Sequence, residues 1–303
     1  MPRIAIPQDL VSKPFALAEG IAAGLGRGRL AGGDLETPTP GVRTAVSLDE
    51  TVQRAWAFAL ALPDDCAFSH LTAAEVRGLP LPARLEGGVL HVMRTSERTR
   101  VRRAGCRGHR GLDGRTVTEA RGLRVTGLAD TWCDCAPLLD LDELVVLGDQ
   151  VARLLGSVVP LEIEMARRVR PRSKRLMEAA LPLLRTRSWS PMETRARMAF
   201  VRAGLPEPLL NHDIRDAAGE WLATGDFVWE REKVVGEYQG EVHAGLGRRE
   251  ADNGRRLLVE DDGWRYLELF AADILKPARL ATALARLARL LDLDPTTLDL
   301  DVD

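Results

Sequence analysis

Asp226 and Glu237 flank a short charged stretch, Glu230-Arg231-Glu232-Lys233, with apolar residues on both sides of it. That pattern predicts a β-hairpin. With the turn centred between Arg231 and Glu232, Asp226 and Glu237 face each other across the two strands. Directly opposed residues have Cβ atoms only about 4.5–5.5 Å apart, and like charges there are destabilising unless something positive sits between them. A divalent cation, Mg2+ or Mn2+, answers that need, because such ions take a few carboxylates together with water and phosphate oxygens. Side-chain alternation puts Gln239 on the face of Glu237 and Tyr238 on the other. A helix beginning at Ser190 can bring Glu193 to the same edge. Such a cluster would hold a metal that activates water and stabilises the charge of an attacked phosphodiester. The plainer alternatives are a solvated hairpin for Asp226 and Glu237, and a Ser190-x-x-Glu193 capping box for Glu193.

The elements that must position these residues can be read around them. Met192, Ala196, Ala199, Phe200 and Ala203 recur at helical spacing and predict a helix over 190–203, with Ser190 as N-cap and Pro191 in the first turn. Strands are expected near 209–215, 221–229 and 233–239, a helix near 247–260, a strand over Trp264–Phe270 and a last helix over about 277–291. That last helix carries Leu280, Leu284, Leu287 and Leu291 on one face. The order is α-β-β-β-α-β-α.

The D-x10-E-x-Q pattern on a hairpin, inside this order, resembles the PD-(D/E)XK nuclease superfamily. A longer string resembles the bacterial branch similar to very-short-patch-repair endonucleases. It comprises Ser190-Pro191-Met192-Glu193-Thr194-Arg195, Gly204-Leu205-Pro206-Glu207-Pro208, the hairpin, His243, Asp252-x-x-Arg255-Arg256 and Gly263-Trp264-x-Tyr266. The resemblance spans residues 188–292. It implies a Mg2+-dependent (or Mn2+-dependent) DNA endonuclease or nickase of defence or repair. Asp226 and Glu237 would be metal ligands and Glu193 an auxiliary acid. His243, Asp252 and Arg255 would be phosphate-side or supporting residues. Gln239 stands where that family has its lysine, and Gly225 where it has proline.

The N-terminal half predicts a helical stretch from Ala16 to Leu30, then helices at Leu48–Leu62, Thr72–Arg77 and Leu141–Leu155. Val89–Arg103 reads as a strand hairpin, and Gly122–Thr126 as a strand leading into a helix near Leu128–Cys135. Residues 16–43 look like a shortened winged-helix element. The string Phe68-Ser69-His70-Leu71-Thr72-Ala73-Ala74-Glu75-Val76-Arg77-Gly78-Leu79-Pro80-Leu81-Pro82 resembles AbiEi-type antitoxin-like proteins, which bind promoter DNA as repressors. That resemblance implies the alternative function, a non-catalytic DNA-binding regulator. The expected organisation is a winged-helix-like piece (1–46), an AbiEi-like α/β domain (47–157), a basic helical linker (158–187) and a nuclease-like domain (188–303). The fold class is α/β (α+β).

Composition bounds the rest. Hydrophobic content of 45% and charged content of 28% describe an ordinary globular chain, and the net charge of −2 excludes a polycation. No run of roughly 18 apolar residues is present, so no transmembrane helix is expected. Nor does the N-terminus have the apolar core of a signal peptide, so the expected location is the cytoplasm. Of the 42 basic residues all but Lys13, Lys174, Lys233 and Lys276 are arginine. Arg167, Arg168, Arg170 and Arg172, with Arg255, are the candidate contacts to a DNA backbone. The Arg-rich stretch 94–110 is a second candidate face. Cys133 and Cys135 form a C-x-C pair without a second pair at zinc-finger spacing, which favours free thiols. Homodimerisation and a toxin partner stay open.

Overall fold

The computed structural model describes residues 4–240 and 256–299. The chain divides into two units, Met1–Leu147 with Val159–Pro182 and Gly148–Val158 with Leu183–Asp303. The expected linker, 158–187, is therefore shared out, most of it going to the first unit. Among the described residues no single helix is long and apolar enough to cross a membrane.

In the first unit, a two-stranded ribbon pairs Phe15–Ala16 with Val42–Arg43. It encloses helices Leu17–Ala22 and Arg27–Leu30 over a small core of Leu10, Phe15, Leu25, Leu30 and Leu35. The helical stretch expected from Ala16 to Leu30 is two short helices. Gly24 takes a left-handed conformation (φ 86°) and Gly26 an extended one.

The remainder of this unit is built on a five-stranded sheet. Its order is Cys106–Arg110, Leu90–Arg94, Ala67–Phe68, Leu123–Thr126, Val117–Ala120. Helices Thr51–Ala59, His70–Val76 and Leu128–Cys135 accompany it. The hairpin expected over Val89–Arg103 does not form. Leu90–Arg94 pairs with Cys106–Arg110 in parallel, so the chain must cross over between them. The crossover lies against Gly108, where a Cβ would fall 2.2 Å from the Val101 carbonyl oxygen. Only glycine admits that approach, and the alternating pattern from 89 to 103 carried no sign of it.

The second unit is a four-stranded sheet in the order Arg265–Phe270, Val234–Gln239, Trp221–Trp229, Leu209–Arg215. The first pair is parallel and the other two are antiparallel. Helices Pro191–Arg202 and Pro277–Leu290 contribute Phe200, Leu284 and Leu287 to a core with Phe227, Trp229, Val234, Leu267 and Leu269. A second cluster gathers Val228, Val235, Val259 and Tyr266. The neighbours Val234 and Val235 thus belong to different cores, which is the period-2 alternation of a strand covered on both sides. The strand and helix bounds lie within two residues of those expected, apart from an added turn of helix at Ala271–Leu275. Most of the expected 247–260 helix lies outside the described residues.

Helix Pro191–Arg202 is held by a buried ionic knot. Asp149, fully buried, accepts from Arg197 Nη2 (3.1 Å), Thr194 Oγ1 (2.9 Å) and the Arg185 backbone N–H (2.7 Å). Arg197 is itself only 1% exposed and also donates to Glu207 (3.1 Å). Breaking such a pair leaves a buried charge uncompensated. Asp149→Ala is expected to cost about 3–5 kcal/mol, read from urea unfolding followed by tryptophan fluorescence. The double variant Asp149→Leu/Arg197→Met should recover most of that loss. A cost near zero for the single variant would remove the knot from the account of this unit.

Candidate metal centre

The hairpin register observed is Val234↔Trp229, Val235↔Val228 and Gly236↔Phe227. Carried one step further, it sets Glu237 opposite Asp226. The ladder is interrupted at that step, because the Tyr238 backbone N–H donates to Asp226 Oδ2 at 2.8 Å. Gly225 makes this closeness feasible: a Cβ there would lie 2.4 Å from a Val235 methyl. Burial pushes the Asp226 carboxyl up to about 6, the Tyr238 N–H opposes that rise, and the charge of Glu193 adds to it.

Glu193 reaches this place from the N-terminus of helix Pro191–Arg202. Ser190 caps the helix, its Oγ accepting from the Glu193 N–H at 3.2 Å. The reciprocal half of the expected capping box falls one residue early. Glu193 Oε2 accepts from the Trp189 N–H (2.8 Å) instead, and also from Asn211 Nδ2 (2.7 Å). Glu193 is 6% exposed, so its charge is a local feature and not a solvated one.

Asn211 was not legible as a site residue. His212↔Gly225 and Leu210↔Phe227 flank it in the ladder, so it stands across from Asp226. Its backbone is left-handed (φ 46°), and its amide also donates to the Arg187 carbonyl at 2.6 Å. A non-glycine residue held there costs energy and persists only where its surroundings over-determine it, as they often do at functional sites.

Gln239 Nε2 lies 3.4 Å from Glu237 Oε2. The parallel register Glu237↔Glu268 adds another carboxylate beside Glu237. Glu268 is engaged by Arg256, which also pairs with Glu260 (2.9 Å) and lies 4.8 Å from the centre of the Tyr266 ring. The structure thus brings Glu193, Asp226, Glu237 and Gln239 to one region. His243, Asp252 and Arg255 lie outside the described residues. The donors fit a hard divalent cation: they are oxygens, and the half-buried Asp226 has no cation among the described residues offsetting its charge.

The basic candidates divide by environment. Arg168 is buried and binds Asp134 (2.6 Å), Glu164 (2.8 Å) and Asp130 (3.3 Å). Arg167 is half-exposed and bridges Glu164 and Asp130. Both hold the first unit together through these carboxylates, and both line one cleft of it. Arg170 and Arg172 are exposed. In the Arg-rich stretch, Arg94 pairs with Asp65 (2.7 Å), and Arg103 donates to Thr39, Pro40 and Ala61. Arg100, Arg102, Arg107 and Arg110 are exposed.

The raised Asp226 pKa fixes the sign of a stability effect. In the unfolded chain the carboxyl titrates near its ordinary 3.8, and in the folded chain near 6. Its proton therefore stabilises the fold at low pH, and that contribution is lost as pH rises through 6. At neutral pH the ionised, half-buried carboxylate is a cost. Asp226→Asn, which can still accept from Tyr238, is expected to stabilise the metal-free protein at pH 7 by on the order of 2 kcal/mol. At pH 4 the gain should largely vanish. Equal melting temperatures of the two proteins at pH 7 would contradict it.

No protein-family model matches the chain, and no solved structure matches it. Two curated sequences do match in part: the uncharacterized proteins MT2308 and Rv2248 of two Mycobacterium tuberculosis strains. Each is 35% identical over 114 residues, which is 37% of this chain and 41% of the relative. The match thus spans well under half the length of either relative.

Proposed function

We propose that the second unit is a divalent-metal-dependent phosphodiesterase acting on DNA, an endonuclease or nickase, with Asp226 and Glu237 as metal ligands. The observation that carries this reading is the concentration of carboxylate. Asp226 is half-buried, stands opposite Glu237 when the hairpin register is carried one step on, and feels the charge of Glu193. A fold gains nothing in stability from such an arrangement, and a bound cation turns it from a cost into a binding site.

A bound Mg2+ or Mn2+ would supply the electrophile, polarising the scissile phosphate and easing deprotonation of water. The chain's own groups have separable tasks. Asp226 and Glu237 hold the cation once Asp226 has lost its proton. Glu193, fixed by Trp189 and Asn211, holds negative charge beside Asp226 and is placed to orient water. The Gln239 amide can donate to a phosphoryl oxygen but brings no positive charge, so it stabilises the transition state less than a lysine would.

That neutral Gln239 is also the observation favouring a second reading, a DNA-binding regulator on a nuclease-like scaffold. The β-α-α-β piece over 15–43 and the exposed arginines would then be the working parts.

Supercoiled plasmid and single-stranded DNA incubated with Mg2+ or Mn2+ separate the two. Cleavage is expected, and Asp226→Ala and Glu237→Ala should each reduce it by on the order of 100-fold or more, as removal of one charge-stabilising group does. The rate should rise with pH through about 6 as Asp226 ionises. Salt-sensitive DNA binding with no cleavage of any substrate would transfer the assignment to the regulator.

A further inference from the structure

The chain has five histidines, and three of them meet. His70 opens the helix His70–Val76, His91 lies in strand Leu90–Arg94, and His109 lies in strand Cys106–Arg110. One ligand atom from each lies within 4.8 Å of the other two. His91 Nδ1 and His109 Nε2 are 3.2 Å apart. Two nitrogens bound to one tetrahedral zinc, each about 2.0–2.1 Å from the metal, are about 3.3 Å apart. The His91–His109 pair is already at that spacing, and the rest of the triangle needs to close by about 1.5 Å at most.

Two further observations point the same way. His70 has a left-handed backbone (φ 51°), strain of the kind retained at functional sites. Burial lowers the pKa of all three imidazoles, His70 to about 3 and His91 and His109 to about 4. They therefore stay neutral at physiological pH, and the neutral ring is the metal-binding form. A hydrogen-bonded His91–His109 pair accounts for two of the rings; the third, His70, meets Ser69 Oγ with its Nδ1 at 2.9 Å and stacks on His109 at 3.8 Å between centroids.

The trio lines a cleft of about 860 Å3 with Arg100, Arg107, Arg110, Arg170 and Arg172 on its walls. None of these five guanidiniums is paired with a carboxylate among the described residues. Asp134, behind the trio, is held by Arg115 (3.0 Å) and Arg168 (2.6 Å).

We infer that His70, His91 and His109 form a transition-metal site suited to Zn2+, with a fourth coordination position open to an anionic ligand from the arginine-lined cleft. Three imidazole nitrogens favour zinc-like ions over Mg2+. Three neutral ligands leave the ion's full charge for the fourth partner. Three protein ligands plus an open position is the arrangement of catalytic zinc, not structural zinc. Metal uptake turns the His70 ring off the His109 ring, because a metal must lie in the plane of each ring that binds it.

The site is independent of the carboxylate centre, and the test keeps them apart. The full chain, stripped with a chelator and dialysed against Zn2+, is expected to retain one zinc per chain. Asp226→Ala should retain it equally. His70→Ala and His109→Ala should each weaken Zn2+ binding by roughly 100-fold or more, beyond the 10–100-fold loss of an outer-shell partner, with far-ultraviolet circular dichroism unchanged. Co2+ added to the wild type needs no variant. A ligand-field spectrum of nitrogen coordination that shifts on adding inorganic phosphate supports both the metal and the open position. Absence of that spectrum, or zinc retained equally by the histidine variants, overturns the site. A cobalt spectrum indifferent to phosphate overturns the open position.

Discussion

The turn at Glu230–Lys233 sets the register of the hairpin, and with it the strand positions of Asp226 and Glu237. Lys233 takes a left-handed conformation (φ 49°) and its N–H closes the turn on the Glu230 carbonyl at 3.2 Å. The Lys233 carbonyl accepts from the Arg265 N–H at 2.8 Å, and its ammonium pairs with Asp262 at 3.0 Å. One residue thus fixes the hairpin and starts the parallel strand beside it. A slip of one residue would turn Phe227, Val234 and their neighbours out of the core. The apolar packing that forbids that slip is what keeps Asp226 and Glu237 together. The two carboxylates owe their places on neighbouring strands to hydrophobic burial, with no attraction of their own.

The helix that brings Glu193 to this region is anchored by the opposite device. Asp149, Thr194 and Arg197 form a closed set of hydrogen bonds in the interior, and Ser188 Oγ meets Thr194 Oγ1 at 2.8 Å. A buried ion pair contributes little net stability, because desolvation consumes the Coulomb gain, but it tolerates few alternative geometries. Apolar contacts of Ala196 and Phe200 fix the helix against the sheet and would permit sliding along its axis. The polar set opposes sliding and so holds Glu193 at one height.

What could be read from the sequence follows from this physics. The strands and helices of the second unit were legible because each has a single apolar period and a turn or cap marks its ends. The hairpin register followed from the turn. Asn211 was not legible, because its role depends on a strand irregularity opposite Asp226. The parallel crossover between Leu90 and Arg110 was hidden because strand alternation does not distinguish a parallel neighbour from an antiparallel one. The arginines differ in environment: Arg168 and Arg170 are two residues apart, yet one is bound by carboxylates and the other is exposed. Charge runs give composition, and only the partner determines whether a guanidinium is available. The histidine trio was hidden for the same reason, its members being 21 and 18 residues apart on separate elements.

Burial acts on the two candidate centres with opposite consequences. Removing a group from water disfavours its charged form. For Asp226, as the proposed metal ligand, the charged form would bind, so burial, which raises the carboxyl to about 6, would hold a proton on the very oxygens a cation needs. For His70, His91 and His109 the neutral form is the ligand, so burial clears the proton and the pKa values fall to about 3–4. A cation at the carboxylate centre would offset that desolvation cost, and Asp226 is deprotonated only above mildly acidic pH. The imidazole centre bears no such cost and is ready across the physiological range. Hard, weakly held Mg2+ in exchange with solvent suits the first. A tightly held, nitrogen-preferring ion suits the second. The same desolvation that weakens one centre as a metal ligand set thus prepares the other.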